Sequence, residues 1–167
     1  PPWGAAESVG YERFVQPVLD RYCGSCHQGS GKARAKLDLT LRPGASIFKE
    51  PYPMLVGGIG TNWKQRLGPT EVKNNLAGVI RVEDYHTRDP DGYITLRPMT
   101  TLSYKSALIE LAMSGKHHGV KVDPISLQRL IAWVDANAPY RGEEEIRQLP
   151  DPDFAGIHIL PIRPRVK

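Results

Sequence analysis

Three segments of the chain carry apolar residues at helical spacing. In YERFVQPVLDRY, residues 11–22, one helical face collects the apolar side chains Tyr11, Phe14, Val15, Val18, Leu19 and Tyr22. Pro17 conflicts with a helix that starts at Tyr11, because an interior proline loses a hydrogen bond and clashes with the preceding turn. We therefore expect either a kinked helix or one that begins near Gln16 with Pro17 in its first turn. In either case the helix leads directly into Cys23.

The second segment, SYKSALIELAMSG, covers residues 103–115. Ser103 is its expected N-cap, and Gly115 is expected to end the helix. The predicted buried face comprises Tyr104, Ala107, Leu108, Leu111 and Ala112.

The third segment, DPISLQRLIAWVDANAPY, covers residues 123–140. Asp123 is the expected N-cap, Pro124 suits the first helical position, and Pro139 stops the helix. The predicted buried stripe comprises Leu127, Leu130, Ile131 and Val134.

Residues 28–100 instead carry turn signals at short intervals, among them LRPGAS, EPYP, VGGIG and RDPDGY. Only KLDLTL (36–41) and GYITLRP (92–98) alternate as short strands do. A connection of this length is usually functional or wrapped around a bound group. The predicted fold is therefore mostly α, with one helix into the cysteines, a long irregular region with minor strands or short helices, and two C-terminal helices.

The length of 167 residues suits one domain with its own core. Its net charge of +4 is scattered, which argues against a nucleic-acid surface, and no apolar run approaches the roughly 18 residues of a membrane span. The start, PPWGAAESVG, has no Met and no secretion signal, which suggests a processed protein or a piece of a longer one. We assign residues 1–10 to an N-terminal extension, 11–142 to the domain, and 143–167 to a Pro-rich extension or linker.

The two cysteines of the chain, Cys23 and Cys26, stand three apart with His27 immediately after them. A structural zinc site needs four ligands, and no second cysteine pair is present. A thioredoxin-like dithiol normally follows a buried strand, whereas this motif follows a helix. The third alternative is covalent haem attachment: two thiols at this spacing form thioethers with the haem vinyl groups, and the next histidine binds the iron from the proximal side. The sequence favours this haem c site.

The cysteine motif alone does not determine which residue binds the iron on the side opposite His27. Met99 lies in a Pro-containing loop before a helix, while Met54 and Met113 fit packing positions. Among the histidines, His86 and His158 fall in polar or Pro-rich segments. His117 and His118 lie between Gly115 and Gly119, and these glycines permit a close approach of the backbone to a flat group. The alternative is that Lys116 and His117 only complement a helix C-terminus, where positive charge is favourable.

Three separated segments, FVQPVLDRYCGSCHQG, SALIELAMSGKHHGVKVD and LIAWVDANAPYRG, resemble the monohaem c-type cytochrome domains of planctomycetes. They are similar in particular to the haem domains of the hydrazine synthase alpha subunit. The resemblance covers residues 11–142. It implies a cytochrome c-like helical fold, one covalently attached haem c, and export to the periplasm or an equivalent compartment.

The same resemblance suggests which ligands bind the iron. In that family one haem is bis-histidine ligated and transfers electrons, whereas the catalytic haem carries a Tyr ligand four residues after the motif histidine. Gly31 occupies that position here, which argues for ordinary ligation by His27. The implied distal ligand is His117 as first choice, His118 as its alternative and Met99 as the second alternative.

The expected function is therefore electron transfer rather than catalysis by this domain itself. Its partner would be a redox protein or a neighbouring domain of a longer polypeptide such as a larger oxidoreductase. The alternative is a domain related to hydrazine synthase that binds a small ligand such as a gas, or acts as a haem enzyme, at an open or weakly ligated distal site.

Overall fold

The computed structural model describes residues 1–4, 7–44, 48–57, 75–80 and 97–142. The described helical elements are, in chain order, a π-helical turn at Tyr11–Val15, α1 at Gln16–Tyr22, α2 at Gly24–His27, α3 at Lys32–Lys36, α4 at Tyr52–Val56, a 3₁₀ turn at Leu102–Tyr104, α5 at Ala107–Ser114 and α6 at Pro124–Asp135. The mostly α prediction is confirmed. None of the helices in these ranges is both long and apolar enough to traverse a bilayer.

The conflict at Pro17 is resolved by a change of helix type. The π-helical turn ends at Val15, and α1 begins at Gln16, so Pro17 lies in the first turn, where its missing N–H is not needed. This confirms the expected start near Gln16. The preceding turn keeps its predicted apolar face, with Tyr11, Phe14 and Val15 fully buried. The backbone then continues into the cysteine motif, where Cys23 N donates to Leu19 O at 2.8 Å.

α5 begins later than predicted. Its N-cap is Ser106, whose hydroxyl accepts a hydrogen bond from Ile109 N at 3.3 Å and donates to Leu76 O at 3.1 Å. The predicted cap at Ser103 is wrong, because this contact with a distant segment favours the second serine. Tyr104 is 67% exposed, so its predicted burial is also wrong. Gly115 ends the helix with a φ of 67°, as expected.

α6 follows its prediction closely. Asp123 Oδ1 accepts from the backbone N–H groups of Ile125 and Ser126 at 2.9 and 3.1 Å, and Pro124 takes the first position. The buried stripe is centred on Leu130, Trp133 and Val134, whereas Leu127 and Ile131 are only half-buried.

A cluster of aromatic side chains joins α6 to the N-terminal turn and α4. The ring of Tyr11 lies 5.7 Å from that of Trp133 and 5.2 Å from that of Tyr52, and Tyr140 lies 4.9 Å from Tyr52. Burial raises the pKa of Tyr52 and that of Tyr140 to about 12. Both hydroxyls therefore remain protonated donors at neutral pH, and Tyr52 donates to Ala138 O at 2.8 Å.

The long region after the cysteines forms short helices rather than strands where it is described. α3 ends at Lys36, residues 37–41 have no regular secondary structure, and Leu39 N donates to His27 O instead of to a partner strand. The strand predicted at 36–41 is therefore wrong, and one isolated antiparallel bridge joins Arg42 to Glu50. Most of the second predicted strand (92–98) and all of the C-terminal extension (143–167) lie outside the described residues.

The N-terminal extension packs against the domain where it is described. The ring of Trp3 meets that of Phe14 edge-on at 5.0 Å, and Glu7 pairs with Arg129 of α6 at 2.7 Å. These contacts cross the proposed boundary at residue 10, and the division itself stays a prediction.

Candidate functional site

The site begins with the cysteine motif, which forms the short helix α2. Cys23 is half-buried and Cys26 is exposed, and both are free thiols. His27 N donates to Cys23 O at 2.9 Å, which closes the turn and places His27 one helical turn after Cys23. Burial, with a smaller contribution from Cys26, raises the pKa of the Cys23 thiol. A redox-active dithiol needs a lowered thiol pKa, so this environment does not favour the thioredoxin-like alternative.

The imidazole of His27 is oriented by a backbone carbonyl. Its Nδ1 lies 2.8 Å from Leu37 O, which can only accept, so Nδ1 carries the proton and Nε2 presents its lone pair. Leu37 is fixed in turn, because its N–H donates to Ala33 O at 3.0 Å. A carbonyl bond of this kind is the usual support for a metal-binding histidine. The sequence motif points to His27 but not to Leu37, which comes ten residues later in an irregular segment.

His117 faces His27 across the site. Their ring centroids lie 6.0 Å apart, and the ring planes differ by 22°. A metal–imidazole bond measures about 2 Å, so two imidazoles on opposite sides of one metal ion have centroids about 6 Å apart. An ordinary aromatic pair has similar spacing. The thiols and the cavities beside this pair are what favour a bound group between the rings.

The turn that carries His117 selects between the two adjacent histidines. Gly115, His118 and Gly119 all adopt positive φ, at 67°, 52° and 75°, and His117 O accepts from Val120 N at 3.0 Å. The rings of the two histidines meet edge-on at 5.0 Å. His118 is exposed and lines only the outer cleft, whereas His117 is half-buried and lines both cavities. The glycines are needed here because positive φ is costly for other residues.

Two cavities meet at the histidine pair. The inner cavity, of about 60 Å³, is lined among the described residues by Leu, Val and Ala side chains together with Cys23, His27 and His117. The outer cleft, of about 350 Å³, shares those three residues and also has Cys26, Lys32 and Lys36 in its wall. Protein interiors leave few voids larger than a water molecule, and pockets for small molecules measure about 300–1,000 Å³. The outer cleft therefore reaches the lower end of this size range, and the smaller inner cavity extends it with an apolar wall.

These features fit a covalently attached haem. The donor set comprises two thiols at thioether spacing and two imidazoles with centroids 6.0 Å apart, and the Leu, Val and Ala side chains beside them provide the apolar surface that a porphyrin packs against. Within the described ranges, no group of three or more His, Cys, Asp or Glu side chains is arranged to hold a metal ion. The described residues thus give no support to the zinc alternative.

The other candidate ligands lie away from this pair or outside the described residues. Met99 is 64% exposed, Met113 is 54% exposed, and neither lines the two cavities. Met54 lies in α4, which contributes Leu55 to the inner cavity. His86 and His158 lie outside the described residues.

One polar contact of the site was not predicted from the sequence. The hydroxyl of Tyr22, the last residue of α1, donates to Asp123 Oδ2, the cap of α6. The capping role of Asp123 was readable from DPIS, but a partner 101 residues earlier in the chain was not.

Comparisons of the chain with models of protein families, with curated proteins and with solved structures found no match.

Proposed function

We propose that the chain is a monohaem c-type cytochrome domain that transfers electrons. Cys23 and Cys26 hold the haem through thioethers, His27 is the proximal ligand and His117 the distal one. The observation that carries this proposal is the pair of facing imidazoles, with centroids 6.0 Å apart, beside the two thiols and between two cavities. The resemblance to planctomycete cytochrome domains, with its implied export, supports the same function.

The haem iron supplies a one-electron ferric–ferrous couple when the group is bound. The residues of the chain would keep the surroundings of the iron the same in its ferric and ferrous states. The Leu37 carbonyl holds the Nδ1 proton of His27 and so fixes its ring. The Leu, Val and Ala side chains that line the inner cavity would keep water from the edge of the haem on that side. His27 and His117 would together hold the iron and keep exogenous molecules from it, and a histidine in place of a methionine would lower the reduction potential.

One observation favours the alternative, a domain that binds a small molecule at the distal position. Among the described residues, His117 has no hydrogen-bond partner for its ring, in contrast to His27 with Leu37. Its turn also contains three residues with positive φ. A weakly supported distal histidine would leave the metal more readily, so carbon monoxide or another gas could take its place.

The test is to express the exported chain with a cytochrome c maturation system and to record its spectra. We expect one covalently bound haem that resists extraction by acidic organic solvent, a low-spin ferric spectrum without the Met-ligation band, and slow, incomplete binding of carbon monoxide by the reduced protein. A Cys23→Ala/Cys26→Ala variant is the control and should lose covalent haem. Immediate, complete binding of carbon monoxide would support the alternative, and a haem-free wild type would contradict both functions.

The outer cleft suggests the kind of redox partner that approaches this site. Its wall carries Lys32 and Lys36, two exposed cations of α3, next to the exposed Cys26. No Asp or Glu of the described ranges lines the cleft. Uncompensated cations beside the entrance raise the local concentration of anions. The partner, whether a separate protein or a neighbouring domain, would therefore present an acidic surface.

Charge reversal at this cleft should change electron-transfer rates according to the charge of the reagent. A Lys36→Glu variant should be oxidised severalfold more slowly by anionic ferricyanide and faster by a cationic cobalt tris-phenanthroline complex, measured by stopped flow at low ionic strength. The difference should disappear in high salt. Lys105→Glu makes the same change in net charge at an exposed residue outside the cleft. Equal effects of the two variants would show that only net charge matters.

A further inference from the structure

One hydrogen bond connects the two segments that carry the facing histidines. The hydroxyl of Tyr22 donates to Asp123 Oδ2 across 101 residues of sequence. Tyr22 ends α1 and immediately precedes Cys23, and Asp123 immediately precedes α6. Residues 16–39 and 107–123 are all described, and this is the one hydrogen bond that crosses between them.

The carboxylate of Asp123 divides its two oxygens between two tasks. Oδ1 caps α6 through the N–H groups of Ile125 and Ser126, and Oδ2 accepts from Tyr22. Hydrogen bonds from Ser126, and next from Tyr22, hold the pKa of Asp123 well below its usual range. The carboxylate is therefore charged at neutral pH, and a hydrogen bond to a charged acceptor is stronger than one between neutral groups.

The segments that connect the Tyr22–Asp123 hydrogen bond to each histidine are short and held by backbone hydrogen bonds. On the distal side, Val122 N donates to Ala112 O at 3.1 Å and Val120 N to His117 O at 3.0 Å, so the six-residue path from Asp123 to His117 is fixed at two points. On the proximal side, α2 follows Tyr22 after a single residue and ends at His27. A change in the separation of Tyr22 from Asp123 would therefore be passed to the separation of the two imidazoles.

We propose that Tyr22 is a positioning residue that, through Asp123, holds His117 at binding distance from the haem iron. This role rests on the proposed function. It would explain how His117 is held in place although its ring has no hydrogen-bond partner among the described residues. The distal histidine is held by the placement of its segment, whereas the proximal one is held by a bond to its own ring.

The experiment measures how fast carbon monoxide replaces His117 in the reduced protein. At saturating carbon monoxide the observed rate reports detachment of the histidine. Tyr22→Phe removes only the hydroxyl, and Asp123→Asn removes the carboxylate charge while keeping a good N-cap. We expect each variant to react about tenfold faster than wild type, as loss of a charge-assisted hydrogen bond implies. The double variant should react no faster than either single one, because both remove the same interaction.

Tyr104→Phe is the matched control, since it removes a hydroxyl from an exposed tyrosine outside both cavities, and should leave the rate unchanged. Wild-type rates in Tyr22→Phe, or additive effects in the double variant, would overturn the positioning role. So would a lowered thermal midpoint of unfolding with an unchanged rate, because that is what a purely structural contact predicts. If the wild type is low-spin and Tyr22→Phe binds carbon monoxide at the wild-type rate, only the positioning role is refuted. If the wild type contains no haem, the proposed function is refuted as well.

Discussion

Replacing His117 with Ala is expected to convert the haem from low-spin to high-spin and to allow full, immediate binding of carbon monoxide after reduction. The reason is geometric: the ring of His117 lies opposite His27 with centroids 6.0 Å apart, and no other described histidine faces His27 at that separation. Optical and electron paramagnetic resonance spectra of the ferric protein measure the change. Added imidazole should restore the low-spin spectrum, because the cavity left by the side chain can admit a free ring.

The neighbouring histidine provides a matched control for this experiment. His118→Ala removes the same group from the next residue, whose side chain is exposed and lines the outer cleft but not the inner cavity. We expect its spectra and carbon monoxide binding to equal those of wild type. A low-spin His117→Ala protein together with a high-spin His118→Ala or Met99→Leu protein would contradict the assignment and identify the other residue as the ligand.

Replacing Trp133 with Ala is expected to lower the free energy of unfolding by about 3–5 kcal/mol, the usual cost of removing a large buried aromatic side chain. Trp133 is fully buried, packs near Tyr11 and Tyr52, and donates from Nε1 to Pro139 O at 3.0 Å. Thermal unfolding followed by circular dichroism measures the effect, as a drop of about 10 °C in the midpoint.

Two further variants separate the contributions to this stability. Trp133→Phe keeps an aromatic ring but loses the hydrogen bond to Pro139 and should be affected less than Trp133→Ala. Tyr104→Ala removes an aromatic side chain that is 67% exposed and should change the free energy of unfolding by about 0.5 kcal/mol or less. An equally small effect of Trp133→Ala would contradict the central place of the aromatic cluster in the core.

The helices were predictable where a local signal coincides with the packing. Asp123, Pro124 and the apolar spacing after them fix α6 without help from other segments, and the structure follows them. α5 was displaced because its cap depends on Leu76, a residue that contacts Ser106 only in the folded chain. The strand expected at residues 36–41 failed for the same kind of reason, since Leu39 bonds to the backbone of His27 and has no neighbouring strand.

The candidate site was predictable as a set of residues but not as an arrangement. Cys23, Cys26 and His27 are adjacent in sequence, so their chemistry can be read directly. The choice between His117 and His118 depends on backbone angles in the turn between Gly115 and Gly119, which the sequence leaves open. The bond from Tyr22 to Asp123 joins residues that no local pattern relates.

The two ends of the segment 11–142 lie side by side, because Tyr11 N donates to Tyr140 O at 2.8 Å. A unit whose entry and exit are adjacent can be inserted into a surface loop of another protein without stretching the host chain. The two ends of this segment therefore meet the geometric condition for an insertion of that kind.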